Sequence, residues 1–219
     1  MRLLLQQNIL TLLGLMFLCL PAQAEINDEI TQLQRQWAQI KYTLDKKEHE
    51  AALKQLASKA AAVRETQPTN ADAHLWEGII LSTYAGAIGS LRALSTVKQS
   101  RSALEQSIEI DPNASHGAAY TYLGTLYYLV PEWPIAFGDF DTAREYLDRG
   151  IELNPDDIDA NYFYADFLRK QKKYKQAEAA FKKAIYAPAR PGRDLADEGR
   201  RNDAREGLEK ISKKTRNKY

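Results

Sequence analysis

Ile110-Asp111-Pro112-Asn113 returns 43 residues later as Leu153-Asn154-Pro155-Asp156, with weaker echoes at Gln67-Pro68-Thr69-Asn70 and Ala187-Pro188. Each copy follows an amphipathic stretch, and most precede another rich in Ala, Tyr and Gly. A proline after an amphipathic run ends a helix, because it has no N–H for the ladder and its ring clashes with the preceding turn. Helix, turn, helix and proline stop, repeated, is the pattern of a helix-hairpin solenoid. The expectation is an all-α chain of about four hairpins, wound right-handed, whose role is to present a binding surface.

Working outward from that phrase, Ile30, Leu33, Trp37, Ile40 and Leu44 lie on one helical face, and Asp45-Lys46-Lys47 make a turn. Leu53, Leu56, Ala60 and Val63 form the stripe of the return helix. Asn70 or Asp72 caps the next helix, through Trp76, Gly78 and Leu81. Gly86 to Ser90 either bends that helix or lengthens the turn before a return helix from Ala93 to Ile110. Asn113 or Ser115 caps a third pair, with Tyr120, Leu123, Gly124 and Tyr127 followed by Ala143, Leu147 and Ile151. Asp157 or Asp159 caps the fourth, through Tyr164, Ala165 and Leu168, then Tyr174, Ala177, Phe181 and Ala184. After Pro188 and Pro191, Asp194 to Lys213 reads as an amphipathic helix that covers the last repeat, carrying Leu195, Ala204, Leu208 and Ile211.

The ends and the composition set limits. Arg2 precedes an apolar run from Ile9 to Leu20, Pro21 breaks it, and Ala22-Gln23-Ala24 offers small residues at a signal-peptidase site. The reading divides the chain into a cleaved signal peptide (1–24), hairpin repeats (25–192) and a C-terminal capping helix with a basic tail (193–219). It implies a periplasmic protein, or one anchored by an uncleaved signal. The single cysteine, Cys19, lies inside that leader, so the mature chain has no thiol chemistry. Of 30 basic residues Arg2 leaves with the leader, giving 29 against 29 acidic ones. That balance argues against a nucleic-acid binder.

Ala165, Ala177, Phe181 and Ala184, with Tyr174 three before Ala177, resemble a tetratricopeptide repeat. Leu123, Gly124, Tyr127, Ala143, Leu147, Gly150 and Pro155 repeat the resemblance, and Gly78, Leu81, Leu104 and Pro112 do so more loosely. Such a repeat is about 34 residues long. Pro155 to Pro188 is 33, but Pro68 to Pro112 is 44 and Pro112 to Pro155 is 43. Two hairpins therefore carry extra residues near their inner turns. Irregular repeats with insertions resemble the T-component family associated with tripartite periplasmic (TRAP) transporters. That resemblance implies a ligand-handling partner of a substrate-binding protein.

Candidate binding residues fall into two groups. Trp133 and Phe137 stand in the irregular segment 129–139, where they either present a binding surface or fold back to plug the hairpin end. By helical register, Thr121, Thr125, Tyr128, Asp159, Tyr162, Asp166 and Arg169 face the concave groove, while Tyr120, Tyr127 and Tyr164 point into the core. The mixture suits a protein or peptide partner, or a small polar ligand. Arg190, Arg193, Arg200 and Arg201 either hold an anion or pair with Asp194, Asp197 and Glu198. The lysines from Lys170 to Lys175 with those of the tail form a solvated face or a contact for anionic lipid or cell-wall polymer. His49, His74 and His116 sit in three different hairpins, and no phosphate loop, nucleophile elbow or metal spacing occurs. The expectation is a non-enzymatic binder with no cofactor and no metal, in the bacterial cell envelope.

Overall fold

The computed structural model describes residues 20–216; the apolar run as far as Cys19, and with it most of the expected leader, lies outside the described residues. Among these residues the chain forms nine α-helices in hairpin order: α1 (Leu20–Thr43) with α2 (His49–Thr66), α3 (Ala71–Ile88) with α4 (Leu94–Ile110), α5 (Ala118–Leu129) with α6 (Phe140–Leu153), α7 (Ile158–Lys170) with α8 (Tyr174–Tyr186), then α9 (Asp194–Arg216). It is an all-α, tetratricopeptide-like solenoid of four hairpins and a final helix.

The caps settle the alternatives. Asn70 accepts from the Asp72 amide and Asp157 from the Ala160 amide, so each takes the first polar residue as its cap. Asp139 caps α6 through the Thr142 amide. The third pair departs from expectation. Neither Asn113 nor Ser115 caps α5; Ser115, His116 and Gly117 all take left-handed backbone, and Gly117 stands at the start of the helix. Leu153 packs so closely there that a side chain at 117 would collide with it.

Small residues bring paired helices together. A methyl group on Gly78 would lie 2.6 Å from Leu104 Cγ, and one on Gly124 2.7 Å from Leu147 Cγ. Ser100 and Ser107 of α4 donate to the carbonyls of Gly78 and Ala71, so their hydroxyls are satisfied inside the interface. The extra residues of the second hairpin lengthen its helices to 18 and 17 residues, against 13 and 13 in the fourth. Those of the third form the loop between α5 and α6.

The final helix does more than cover the last repeat. α9 packs on α8 and α7 and also reaches α1 at the other end of the chain. Its buried face is Ala196, Gly199, Arg200, Ala204, Gly207 and Ile211; Leu195 is exposed and Leu208 half-buried. Gly199 leaves room for the Tyr42 ring of α1 and Gly207 for Phe181 of α8. Tyr42 donates to Asp203, and Lys41 lies 3.9 Å from the same carboxylate. α9 thereby bridges first and last hairpins, and closes the inner side of the superhelix.

This placement changes the register expected on the inner helices. Thr121, Thr125, Tyr128 and Asp159 are buried, whereas Tyr120, Tyr127 and Tyr164 are half-buried. Thr121 faces α6 across Gly150, and Thr125 donates to the Thr121 carbonyl. The inner face is covered by protein, so burial no longer separates core from groove.

Candidate functional site

The centre of the inner face is an ionic and aromatic knot. Arg200 Nε donates to Asp159 Oδ1 at 2.6 Å and its Nη1 to Asp203 Oδ2 at 3.1 Å. Its guanidinium also lies 4.6 Å from the ring centres of Tyr162 and Phe163. Arg190 donates to Asp159 Oδ2 at 2.8 Å, to Asp157 at 3.2 Å and to Asp197 at 2.8 Å. Burial opposes the charge on Asp159, but Arg200 and Arg190 outweigh it and hold the carboxyl well below the usual carboxylate range. Burial and the neighbouring Asp159 push Asp157 the other way, against Arg190. Arg201 donates to the Ala187 carbonyl at 3.1 Å. These arginines therefore engage the protein's own carboxylates and helix end.

Two cavities flank the knot. The first, of about 460 Å³, lies on the side of the proline turns, against Trp76, His116, Thr121, Asp159 and the 188–193 connection. Arg193 lies over the Trp76 ring at 5.0 Å, and its buried Nε has no hydrogen-bond partner. The second, of about 670 Å³, lies on the side of the inner turns. Trp37, Tyr42, Tyr122, Tyr162 and Phe163 supply its apolar wall, and Lys41, His49, Arg200, Asp203 and Glu206 its polar groups. Burial, then Arg200, pull the Lys41 ammonium below its ordinary value. Trp37 Nε1 is satisfied by Thr83, and His49 Nε2 lies 3.1 Å from the Leu44 carbonyl. Aromatic walls with a few fixed charges can hold an extended peptide or a small polar molecule.

The nine predicted binding residues are distributed over four places. Thr121 and Asp159 line the first cavity, and Thr125 and Tyr162 the second. Tyr128, Asp166 and Arg169 form a separate chain, in which Asp166 accepts from the tyrosine hydroxyl at 3.2 Å and from Arg169 at 2.6 Å. Trp133 and Phe137 sit on the α5–α6 loop and behave differently. Phe137 folds back between Tyr127 and the Arg101 guanidinium, while Trp133 is 85% exposed. Lys41, Tyr42, His49 and Trp76 are missing from the sequence-based set. They belong to the first two hairpins; the return of α9 to α1 brings Lys41, Tyr42 and His49 to the second cavity, and the 188–193 connection meets Trp76 at the first.

The match to known proteins falls on the third and fourth hairpins. Residues 135–190, which hold α6, α7 and α8, match the tetratricopeptide repeat family. This segment is similar to a tetratricopeptide repeat. Such repeats stack into scaffolds with extended binding surfaces. Among solved structures, the chain is similar to the crystal structure of MamA, at 23% identity and a TM-score of 0.43, over 80% of this chain and 95% of that one. No curated protein matches the chain. Among the described residues, no group of three His, Cys, Asp or Glu could hold a metal ion, and no helix is long and apolar enough to cross a membrane.

Proposed function

We propose that this protein is an exported tetratricopeptide scaffold that binds a protein or peptide partner in the bacterial cell envelope. The observation that carries the reading is the second cavity, with Lys46, Leu129 and Glu206 exposed around it and an aromatic wall within. Its floor is rigid, because Arg200 is fixed by Asp159, Asp203 and two rings. A preformed site spares the ordering cost of binding, so aromatic and charged contacts appear as affinity. The N-terminal apolar run and the small residues before Glu25 support export.

Site-specific photo-cross-linking in the native envelope tests this. A cross-linker replacing Lys46, beside the cavity, should trap one partner, and one replacing Tyr186, exposed at the end of α8 and outside the cavity lining, should not. Equal labelling from both positions, or none from Lys46, would reject the cavity as the partner site.

The cavity's volume also supports a second reading, a ligand-handling accessory of a periplasmic substrate-binding system. Native mass spectrometry of protein purified from its own host separates the two. A stoichiometric small-molecule adduct supports the accessory, and a bare chain or a protein complex supports the scaffold.

A further inference from the structure

The four turns inside the hairpins lie along one edge of the solenoid and are joined by named contacts. Arg92 of the second turn pairs with Glu50 beside the first at 2.9 Å. The third-turn segment Pro134–Phe137 lies against Lys98 and Arg101 near the start of α4. Lys170 of the fourth turn sits over the Tyr128 ring at 5.6 Å, and Arg144 donates to Gln171 at 2.6 Å. Six of the eight large hydrophobic side chains exposed among the described residues stand in or directly beside these turns: Leu44, Leu91, Leu129, Trp133, Ile135 and Phe140. The other two, Tyr186 and Leu195, flank the α8–α9 connection. The most protruding are Trp133 at 85%, Leu91 at 66%, Ile135 at 56% and Leu129 at 52%.

Exposure of this kind on one edge marks an interaction surface. Its form selects the partner. Four of the six, Leu129, Trp133, Ile135 and Phe140, cluster at the third turn, and Leu44 and Leu91 stand at the first and second. Beside them the fourth turn carries Lys170, Lys172, Lys173 and Lys175, which form no ion pair among the described residues. Tryptophan and aliphatic tips on the third turn, with lysines free of ion pairs on the neighbouring fourth turn, suit the interface of a lipid bilayer with negative headgroups, the attraction coming from the fourth turn since Glu132, Asp139 and Asp141 lie on the third.

We propose that this edge docks the protein on an anionic membrane surface, with Trp133 and Ile135 entering the headgroup layer and the lysines of the fourth turn held over it. The docking edge shares Leu129 with the rim of the second cavity, and quenching of Trp133, which does not line that cavity, reads the docking apart from a partner held there.

Tryptophan quenching by brominated lipid tests the contact at the residue concerned. Trp37 and Trp76 are each only 2% exposed, so lipid contact can quench Trp133 alone. The full chain is mixed with vesicles of phosphatidylcholine, or of phosphatidylcholine with phosphatidylglycerol, each with a brominated fraction. Quenching is expected only with the anionic vesicles, and Trp133→Ser should abolish it. Replacing Lys170, Lys172 and Lys173 by glutamine should weaken association about fivefold for each charge removed, and raised salt should do the same. Circular dichroism should show both variants folded, since every altered side chain is exposed. Sedimentation with vesicles without quenching would place the contact elsewhere, the N-terminal apolar run included, and would overturn the proposal. Equal quenching by neutral vesicles, or an edge shielded from quencher by a bound protein, would overturn it too.

Discussion

Arg200 of α9 and Asp159 of α7 form a hydrogen-bonded ion pair 2.6 Å long with both side chains buried. This pair joins the final helix to the inner face, and its loss is strongly asymmetric. Arg200→Met leaves Asp159 with Arg190 alone, and breaking a buried pair costs about 3–5 kcal/mol. The surviving partner places the cost near the lower end. Arg200→Met combined with Asp159→Asn should recover part of the loss, because neither charge is then orphaned. Urea unfolding of the wild type, the single and the double variant checks the ordering. A single variant as stable as wild type would show that α9 is not held by this contact.

The same pair governs the acid limb. Asp159 has its carboxyl held below the ordinary range, so its stabilising effect is complete above the unfolded value near 4 and fades as pH falls toward the folded one. Asp157, raised by burial, acts in the opposite direction and above that window, between its unfolded value near 4 and its higher folded one. Arg200→Met should flatten the decline of stability below about pH 4, measured by unfolding at fixed pH steps.

The joint between first and last hairpins depends on a missing side chain. An alanine at position 199 would drive its methyl into the Tyr42 ring, which packs edge-on against Trp37 and donates to Asp203. Overpacking of this kind costs about 1–3 kcal/mol, offset by about 1 kcal/mol of helix propensity. Gly199→Ala should therefore be neutral to destabilising by about 2 kcal/mol and speed amide exchange in α1, as the α1–α9 contact loosens. Gly86→Ala is the internal control. Nothing lies within 4 Å of a methyl there, so it should stabilise the protein by about 0.5–1 kcal/mol. Matching gains at both sites would show that α9 does not close tightly on α1.

These residues also show what the sequence discloses. The hairpins are legible because helix periodicity, proline stops and short turns act over a few residues: Asn70, Asp139 and Asp157 each cap the helix that follows them in sequence. The ring closure is not legible, because it depends on contacts such as Tyr42 with Asp203, 161 positions apart. A hint was present in α9. Its stripe of Ala196, Gly199, Ala204 and Gly207 is too small to make a core alone, and suits a helix pressed onto bulky rings. Reading the helix through Leu195 and Leu208 as well as Ala204 and Ile211 blurs that face, since only the latter two are buried. The groove residues suffer likewise: register gives their direction, but Asp159 is shut in by Arg200 of α9, and Thr121 by α6 across Gly150.

Burial of the inner aromatic face predicts a late alkaline transition. Burial pushes Tyr42, Tyr122 and Tyr128 well above the usual phenol range, and Tyr162 up to about 12. Below pH 10 these phenols are neutral in both states and contribute no pH dependence. Between about 10 and the folded values the unfolded chain ionises and the native one does not, so stability falls as pH rises. Tyrosinate absorbance should show these four titrating after the more exposed tyrosines, together with unfolding. Simultaneous titration of all tyrosines in a folded protein would mean that water reaches the inner face.

The two aromatics of the α5–α6 loop should separate cleanly. Phe137 packs 5.2 Å from the Tyr127 ring and 4.7 Å from the Arg101 guanidinium. Its removal forfeits apolar burial and a cation–π contact, together about 1–2 kcal/mol for a half-buried ring. The backbone beside it is equally committed. Gly138 donates to the Pro131 carbonyl at 2.9 Å, Asp139 to that of Tyr127 at 2.9 Å, and a side chain at 138 would collide with the Val130 carbonyl. Phe137→Ala and Gly138→Ala should both destabilise the third hairpin, whereas Trp133→Ser, at an exposed tip, should stay within about 0.5 kcal/mol of wild type. Thermal unfolding of the three variants reads the difference. A destabilising Trp133→Ser would mean that the ring packs against the protein, and would remove it from the outer edge as a contact for anything else.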